Sequence, residues 1–234
     1  MLEIKDIHSY YGSSYILQGV SLKIKRSEVV SLVGRNGAGK TTTLKSIMGI
    51  VRPAQGSVKF KGAEICGLKP YQIARLGLGY VPEDRRIYPN LTLKENLEVA
   101  QIKLGSSKTK WNFEKVYQFF PQLKALGEGR LGSNMSGGEQ QMLTIARTLM
   151  GNPEFILLDE PSEGLAPLVV SALADAVNEI KVEGVSILLS EQNMKFATKT
   201  TTKSYVIDGG KISFEGTIED LMKNEELVKE HITL

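Results

Sequence analysis

Hydrophobic and polar positions alternate through residues 2–7 (Leu2, Ile4 and Ile7 against Glu3, Lys5 and Asp6) and again through Val20-Ser21-Leu22-Lys23-Ile24. A period of two is that of a half-buried strand. With Tyr10-Tyr11-Gly12-Ser13-Ser14 as the turn between them, two paired strands are predicted over 2–7 and 16–24. Val29, Val30, Leu32 and Val33 are apolar on both parities, the pattern of a strand covered on both faces. Residues 155–158 and 185–189 read the same way, and shorter strands are expected over 57–60 and 77–82, the latter stopped by Pro82. Helices are predicted over 43–48, 71–76 and 165–182, a hairpin over 205–214, and a helical tail from Ile218.

Between Glu83 and Met150 the texture changes. Residues 93–102 and 112–120 have helical periodicity, joined by a polar loop over 105–110 whose lysines read as solvated. Met142, Ile145, Ala146 and Leu149 form one helical face that Gly151-Asn152-Pro153 ends. The expected architecture is α/β: a mostly parallel sheet with N-terminal antiparallel strands, forming one domain with its core at about 1–82 and 151–234 and a helical insert at about 83–150.

The strand at 29–33 runs into Gly34-Arg35-Asn36-Gly37-Ala38-Gly39-Lys40-Thr41-Thr42, which opens a helix. Strand, Gly-x4-Gly-Lys-Thr and helix make a P-loop, in which curled backbone amides and a helix N-terminus cradle phosphates. Lys40 is expected to carry charge to the β- and γ-phosphates of a nucleotide, and the Thr41 hydroxyl to ligate Mg2+. The glycine spacing is not Gly-x-Gly-x-x-Gly, which disfavours a dinucleotide fold. A merely structural glycine turn would give no reason for Lys-Thr at the helix start. The fold expectation is therefore a P-loop NTPase core.

Two further stretches fit that chemistry. Ser136-Gly137-Gly138-Glu139 begins a helix. Ser136 with Glu139 is a capping box, yet capping does not explain two glycines in the first turn, where they let something approach the backbone closely. The apolar strand at 155–158 ends on Asp159-Glu160, and in a parallel sheet such ends border the ligand. Asp159 suits the Mg2+ shell, and Glu160 the task of orienting and deprotonating an attacking water. Tyr11, on a turn near the P-loop strand, either stacks on an adenine ring or packs at a sheet edge.

Composition narrows the partners. A net charge of +3 in 234 residues is too slight to argue for nucleic acid or an anionic membrane surface. The single Cys66 fits a reducing compartment. No apolar run approaches the ~18 residues of a spanning helix and no leader pattern opens the chain, so a membrane role is expected to pass through a partner. His8, His231 and Trp111 form no constellation.

Taken together, the P-loop, Ser136-Gly137-Gly138-Glu139-Gln140 and the strand ending Asp159-Glu160, in this order, resemble the ATP-binding-cassette ATPases. The resemblance spans essentially the whole chain. It implies ATP and Mg2+ as cofactors, Tyr11 against the adenine, and Ser136 to Glu139 against the γ-phosphate held by a second, head-to-tail ATPase subunit, identical or not. Val81-Pro82-Glu83-Asp84-Arg85-Arg86, Gly164-Leu165-Ala166-Pro167 and Ser190-Glu191-Gln192-Asn193 are similar to one of the two ATPase subunits of branched-chain (hydrophobic) amino-acid importers. Importers of urea or short-chain amides share the likeness; a soluble cassette acting on DNA or ribosomes fits less well. The resemblance implies two membrane permeases, an extracytoplasmic solute-binding protein reached through them, and a place on the cytoplasmic face of the membrane.

Three positions depart from the wider family. Glu83 stands where most relatives have a Gln touching Mg2+, Gln192 where they have a switch His, and Ala166 where they have an Asp. A carboxylate still suits a hard cation. An amide hydrogen-bonds a γ-phosphate without bringing charge, so slow hydrolysis by the chain's own site is expected.

Overall fold

A computed structural model describes residues 1–101 and 110–231. The expected polar loop at 105–110 falls, apart from Lys110, outside the described residues.

Strands β1 (Leu2–Tyr11) and β2 (Ser14–Ile24) pair antiparallel, and β1 also pairs with β4 (Gln55–Phe60), which carries the short β5 (Ala63–Glu64). The alternation seen in the sequence is real, but the pairing runs further: Tyr10 faces Tyr15, their rings stacked 4.5 Å apart, and Tyr11 faces Ser14. The turn therefore shrinks to Gly12-Ser13, and Tyr10 and Tyr11 are strand residues rather than turn residues. Cross-strand aromatic packing outcompetes the turn tendency of the flanking residues.

The second sheet has the order β10-β9-β3-β8-β7-β6, from β3 (Val29–Val33), β6 (Leu78–Val81), β7 (Phe155–Asp159), β8 (Ser186–Glu191), β9 (Lys203–Asp208) and β10 (Lys211–Thr217). All of its pairings are parallel except the β9–β10 hairpin. This is the expected mostly parallel sheet beside N-terminal antiparallel strands. Successive residues of its central strands go to opposite cores. Phe155, Leu157 and Leu188 join Leu2, Ile4, Leu22, Phe60 and the apolar face of α1 (Lys40–Ile47) on one side. Ile156, Leu158, Ile187 and Leu189 meet α6 (Gly137–Met150) and α7 (Pro167–Val182) on the other. Each fully buried Leu or Ile of this kind contributes about 1.5–3 kcal/mol, which is why the central strands read as unbroken apolar runs.

The helical stretch holds α3 (Leu93–Glu98), α4 (Phe113–Phe119) and α5 (Pro121–Leu126), with α2 (Pro70–Arg75) before it. Leu93, Leu97, Val116, Phe120 and Leu123 pack into the same cluster as α6 and α7, so the helical layer and the sheet share one apolar core. Asn152 fastens the layer to the sheet: it bends the chain between α6 and β7 at φ +52°, and its Oδ1 accepts from the amides of Lys110 and Trp111 at 2.7 and 2.8 Å. Trp111 is buried edge-on to Phe119, with the Lys115 ammonium 5.2 Å from its ring centroid. The chain closes through α8 (Met194–Thr200), α9 (Ile218–Lys223) and α10 (Glu225–His231). His8 lies between Tyr15 and Asp6, and burial pushes the half-buried Cys66 thiol up.

Candidate functional site

Parallel pairing sets the site. β3, β8 and β7 lie side by side, with Val33 level with Glu191 and Ser190 level with Asp159. Three chain segments therefore leave the sheet at one edge: residues 34–42, 160–166 and 192–193.

Residues 34–39 curl over the end of β3 and deliver α1, whose N-cap is Gly39 at φ +114°, with no side chain capping the helix. An L-residue with a side chain is strained at that φ, so glycine there leaves the first-turn amides open to an incoming acceptor. Lys40, 3% exposed, donates to the carbonyls of Gly34 (2.7 Å) and Arg35 (2.9 Å) and pairs with Glu160 Oε1 at 3.0 Å. Two residues to which the sequence gave separate tasks are thus in contact. The Arg35 side chain points the other way, donating to the Lys229 carbonyl on α10.

Asp159 is fully buried and held by three hydroxyls. Thr41 Oγ1 (2.9 Å) and Ser190 Oγ (2.7 Å) donate to its Oδ1, and Tyr80 Oη (2.9 Å) donates to its Oδ2. Burial, and then the Asp159 charge, push the Tyr80 phenol far up, so it remains a donor. Glu160 takes a left-handed backbone, φ +44°, at a cost of roughly 1–2 kcal/mol for a residue with a Cβ. Its amide answers that cost by donating to the carbonyl (3.1 Å) and the hydroxyl (3.2 Å) of Ser190. The bend turns its carboxylate from the sheet onto Lys40.

Two cavities meet here. One, of about 350 Å³, is lined by Asn36, Gly37, Gly39, Lys40, Thr42 and Glu160. The other, of about 620 Å³, is lined by Tyr11, Lys45, Tyr80, Arg85 and Asp159. Thr41, Glu83 and Glu163 border both. Tyr11 is 47% exposed, so it lines the cleft rather than packing away at the sheet edge. Burial, and then Glu163, Glu160 and Asp159, push the Glu83 carboxyl up. A nearby dication would relieve that crowding of acids, and Thr41, Asp159 and Glu83 are all hard oxygen donors. No three acidic, His or Cys side chains among the described residues are grouped to hold a metal unaided, so such an ion would take its remaining ligands from phosphate and water.

The start of α6 is different. Ser136 Oγ accepts from the Glu139 amide, and Glu139 Oε2 accepts from the Ser136 amide at 2.6 Å, the predicted capping box. The chain itself supplies the close approach expected over the two glycines. A Cβ on Gly137 would lie 2.5 Å from Arg85 Nη1, and one on Gly138 2.8 Å from Val169 Cγ1. Arg85 also donates to the Glu163 carbonyl at 3.1 Å, which links this helix start to the loop after Glu160. Ser136 to Glu139 border neither of the two cavities.

Gln192 follows β8 directly and is half-buried. Sequence reasoning missed Tyr80, Ser190 and Glu191 as residues of this edge. For Ser190 and Glu191 there was a signal, two polar residues closing an apolar strand at the ligand end of a parallel sheet. For Tyr80 there was none, because a tyrosine near a strand end is ordinary.

Residues 17–163 match the family model described as ABC transporter. The chain is 39% identical to the high-affinity branched-chain amino acid transport ATP-binding protein BraG of Pseudomonas aeruginosa, covering 97% of both chains. It is 33% identical to the probable branched-chain amino acid transport ATP-binding protein LivF of Archaeoglobus fulgidus (98% and 97% covered), and 32% identical to the lipopolysaccharide export system ATP-binding protein LptB of Haemophilus influenzae (99% and 97%). Among solved structures it is similar to a nucleotide-free ATP-binding cassette from an ABC transporter, with a TM-score of 0.84, 27% identity and 98% and 97% of the two chains covered.

Proposed function

Because this chain belongs to the ATP-binding cassettes of ABC transporters and is an ATPase that binds nucleotide, we propose that it is the ATP-hydrolysing subunit of an importer of branched-chain or other hydrophobic amino acids. The full-length likeness to BraG supports that solute class. In this reading residues 34–42 bind the phosphates and Tyr11 supports the adenine. Thr41, Asp159 and Glu83 hold Mg2+, which when bound supplies positive charge against the phosphate oxygens. Triphosphate entering the cradle offers Lys40 oxygens in place of the Gly34 and Arg35 carbonyls, and releases Glu160 to take the proton of an attacking water. The observation that supports the mechanism is the Lys40–Glu160 contact beside the Thr41–Asp159 hydrogen bond, side chains that this reading assigns to cradle, base and cation binding.

Gln192 donates its amide to the γ-phosphate. Ser136 to Glu139 serve the ATP of a second cassette paired head to tail, with residues 83–150 as the lobe that carries them. Two permeases anchor the pair peripherally at the cytoplasmic face, and an extracytoplasmic binding protein delivers the solute to them. No helix among the described residues is long and apolar enough to cross a membrane. Lipopolysaccharide export is the second reading, favoured by the likeness to LptB at 32% identity.

The test is uptake of radiolabelled leucine, isoleucine and valine in source cells carrying Glu160→Gln, with affinity capture of the wild-type chain from detergent-solubilised membranes. We expect uptake to be lost and two permeases to be captured. Unchanged uptake together with defective lipopolysaccharide delivery or amide uptake would transfer the motor to that solute. Capture of nucleic acid without permeases would end the transporter reading.

A further inference from the structure

Glu191 ends β8, one of the two central strands of the six-stranded sheet, is 2% exposed, and borders neither cavity of the nucleotide site. Its two oxygens nevertheless reach two separate catalytic segments. Oε1 accepts from the Ser162 amide at 3.0 Å and Oε2 from the Asn193 amide at 3.1 Å. Ser162 lies two residues beyond Glu160, and Glu191 and Asn193 flank Gln192. Asn193 adds a second tie, donating Nδ2 to Ser162 Oγ at 3.3 Å while its Oδ1 caps α8 through the Phe196 amide. The Glu160 amide is itself bonded to Ser190, the residue before Glu191.

We propose that Glu191 is a positioning residue for hydrolysis: its carboxylate straps the loop that carries Glu160 to the strand end that carries Gln192, so that the two move onto the γ-phosphate as one body. The proposal rests on the ATPase reading above and extends it. Only an acceptor with two oxygens can serve both amides. Glutamine in its place keeps one acceptor and turns the protons of its NH2 toward the other N–H. A strap that is merely structural would be built more cheaply from apolar residues, because burying a carboxylate costs stability. Here burial outweighs the two amides and pushes Glu191 up to about 7. The groups that face it account for the remainder. β3 presents Val33 in register, and the loop after β7 presents Glu160, whose charge opposes ionisation and is answered by Lys40 rather than by Glu191. The ionised form accepts both amides, whereas the protonated form accepts one well and releases the other. The strap is therefore tight above neutrality and loosens below it.

The experiment compares the full wild-type chain with Glu191→Gln by three measurements: Mg-ATP hydrolysis between about pH 6 and pH 8.5, titration with a fluorescent ATP analogue, and amide hydrogen exchange. For the Gln variant we expect kcat at alkaline pH to fall about tenfold, the equivalent of one charge-assisted hydrogen bond, with KM and nucleotide affinity within about twofold. Its acid limb should disappear, and Ser162 and Asn193 should exchange faster. A wild-type kcat with the acid limb intact overturns the proposal, as does a joint fall of kcat and nucleotide affinity in step with thermal stability. Should the Gln variant fail to fold, Glu191→Asp, one methylene short of spanning both amides, must slow hydrolysis while retaining a pH limb; a wild-type rate there overturns the strap equally. If the wild-type chain bound no nucleotide, the ATPase reading would fall, and the exchange rates of Ser162 and Asn193 would decide the strap separately.

Discussion

Helix α1, with Gly39 at its N-cap, and helix α6, whose first residue is Gly137, both start beside a carboxylate, and they use these parts in opposite ways. At α6 the carboxylate is its own: Glu139 folds back three residues and closes the capping box with Ser136. At α1 no side chain caps the helix, and the carboxylate comes from a neighbouring strand end, Glu160 reaching Lys40. The first helix start is a finished piece of local structure over which Arg85 and Val169 lie. The second is held open by tertiary structure, its lysine parked on two carbonyls and an acid. A self-capped end is stable without a ligand, whereas an uncapped end beside a cavity gains its partners when phosphate arrives.

That contrast can be broken most directly by neutralising each carboxylate in turn. Glu160→Gln should cut steady-state hydrolysis by about 10²–10⁴-fold, the usual contribution of a general base, with nucleotide titration unchanged. Glu139→Gln, which still closes a capping box, should leave folding intact; a variant at Glu139 that stopped the chain binding its own nucleotide would undo the distinction. Lys40→Ala comes next. Losing one charged hydrogen-bond donor to the phosphates should weaken nucleotide binding by about 10–100-fold in the same titration, and the rise in melting temperature produced by a given nucleotide concentration should shrink. Smallest is Ser136→Ala, which removes a cap worth ~1 kcal/mol and should lower the melting temperature by about 2–4 °C in a chain of this size. The shift produced by nucleotide should survive in it. If it did not, the start of α6 would belong to the chain's own nucleotide site after all.

Much of this was legible in the sequence, because the relevant signals are local. Val29–Val33 and Phe155–Asp159 carry their burial on both faces in five residues each, and the P-loop glycines state a backbone shape. What could not be read is what depends on which strands lie side by side. Nothing in the chain order places β8 between β3 and β7, yet that placement brings Ser190 to Asp159 and Glu160, and Glu191 to Ser162. Tyr10 and Tyr11 were misread for a related reason, since the stacking of Tyr10 on Tyr15 depends on a pairing register that local turn tendency does not encode. The covering of Gly137 by Arg85 likewise joins residues far apart in sequence, through a loop residue held at φ +58°.

The lone tryptophan gives the molecule a built-in optical reporter. Trp111 sits in the helical layer, sealed against Phe119 and tied through its backbone to Asn152, and it borders neither cavity. Indole emission from this chain therefore reports on the packing between the helical layer and the sheet, away from both cavities. Paired with a dye on the nucleotide, that single ring would time any change in this packing separately from nucleotide binding.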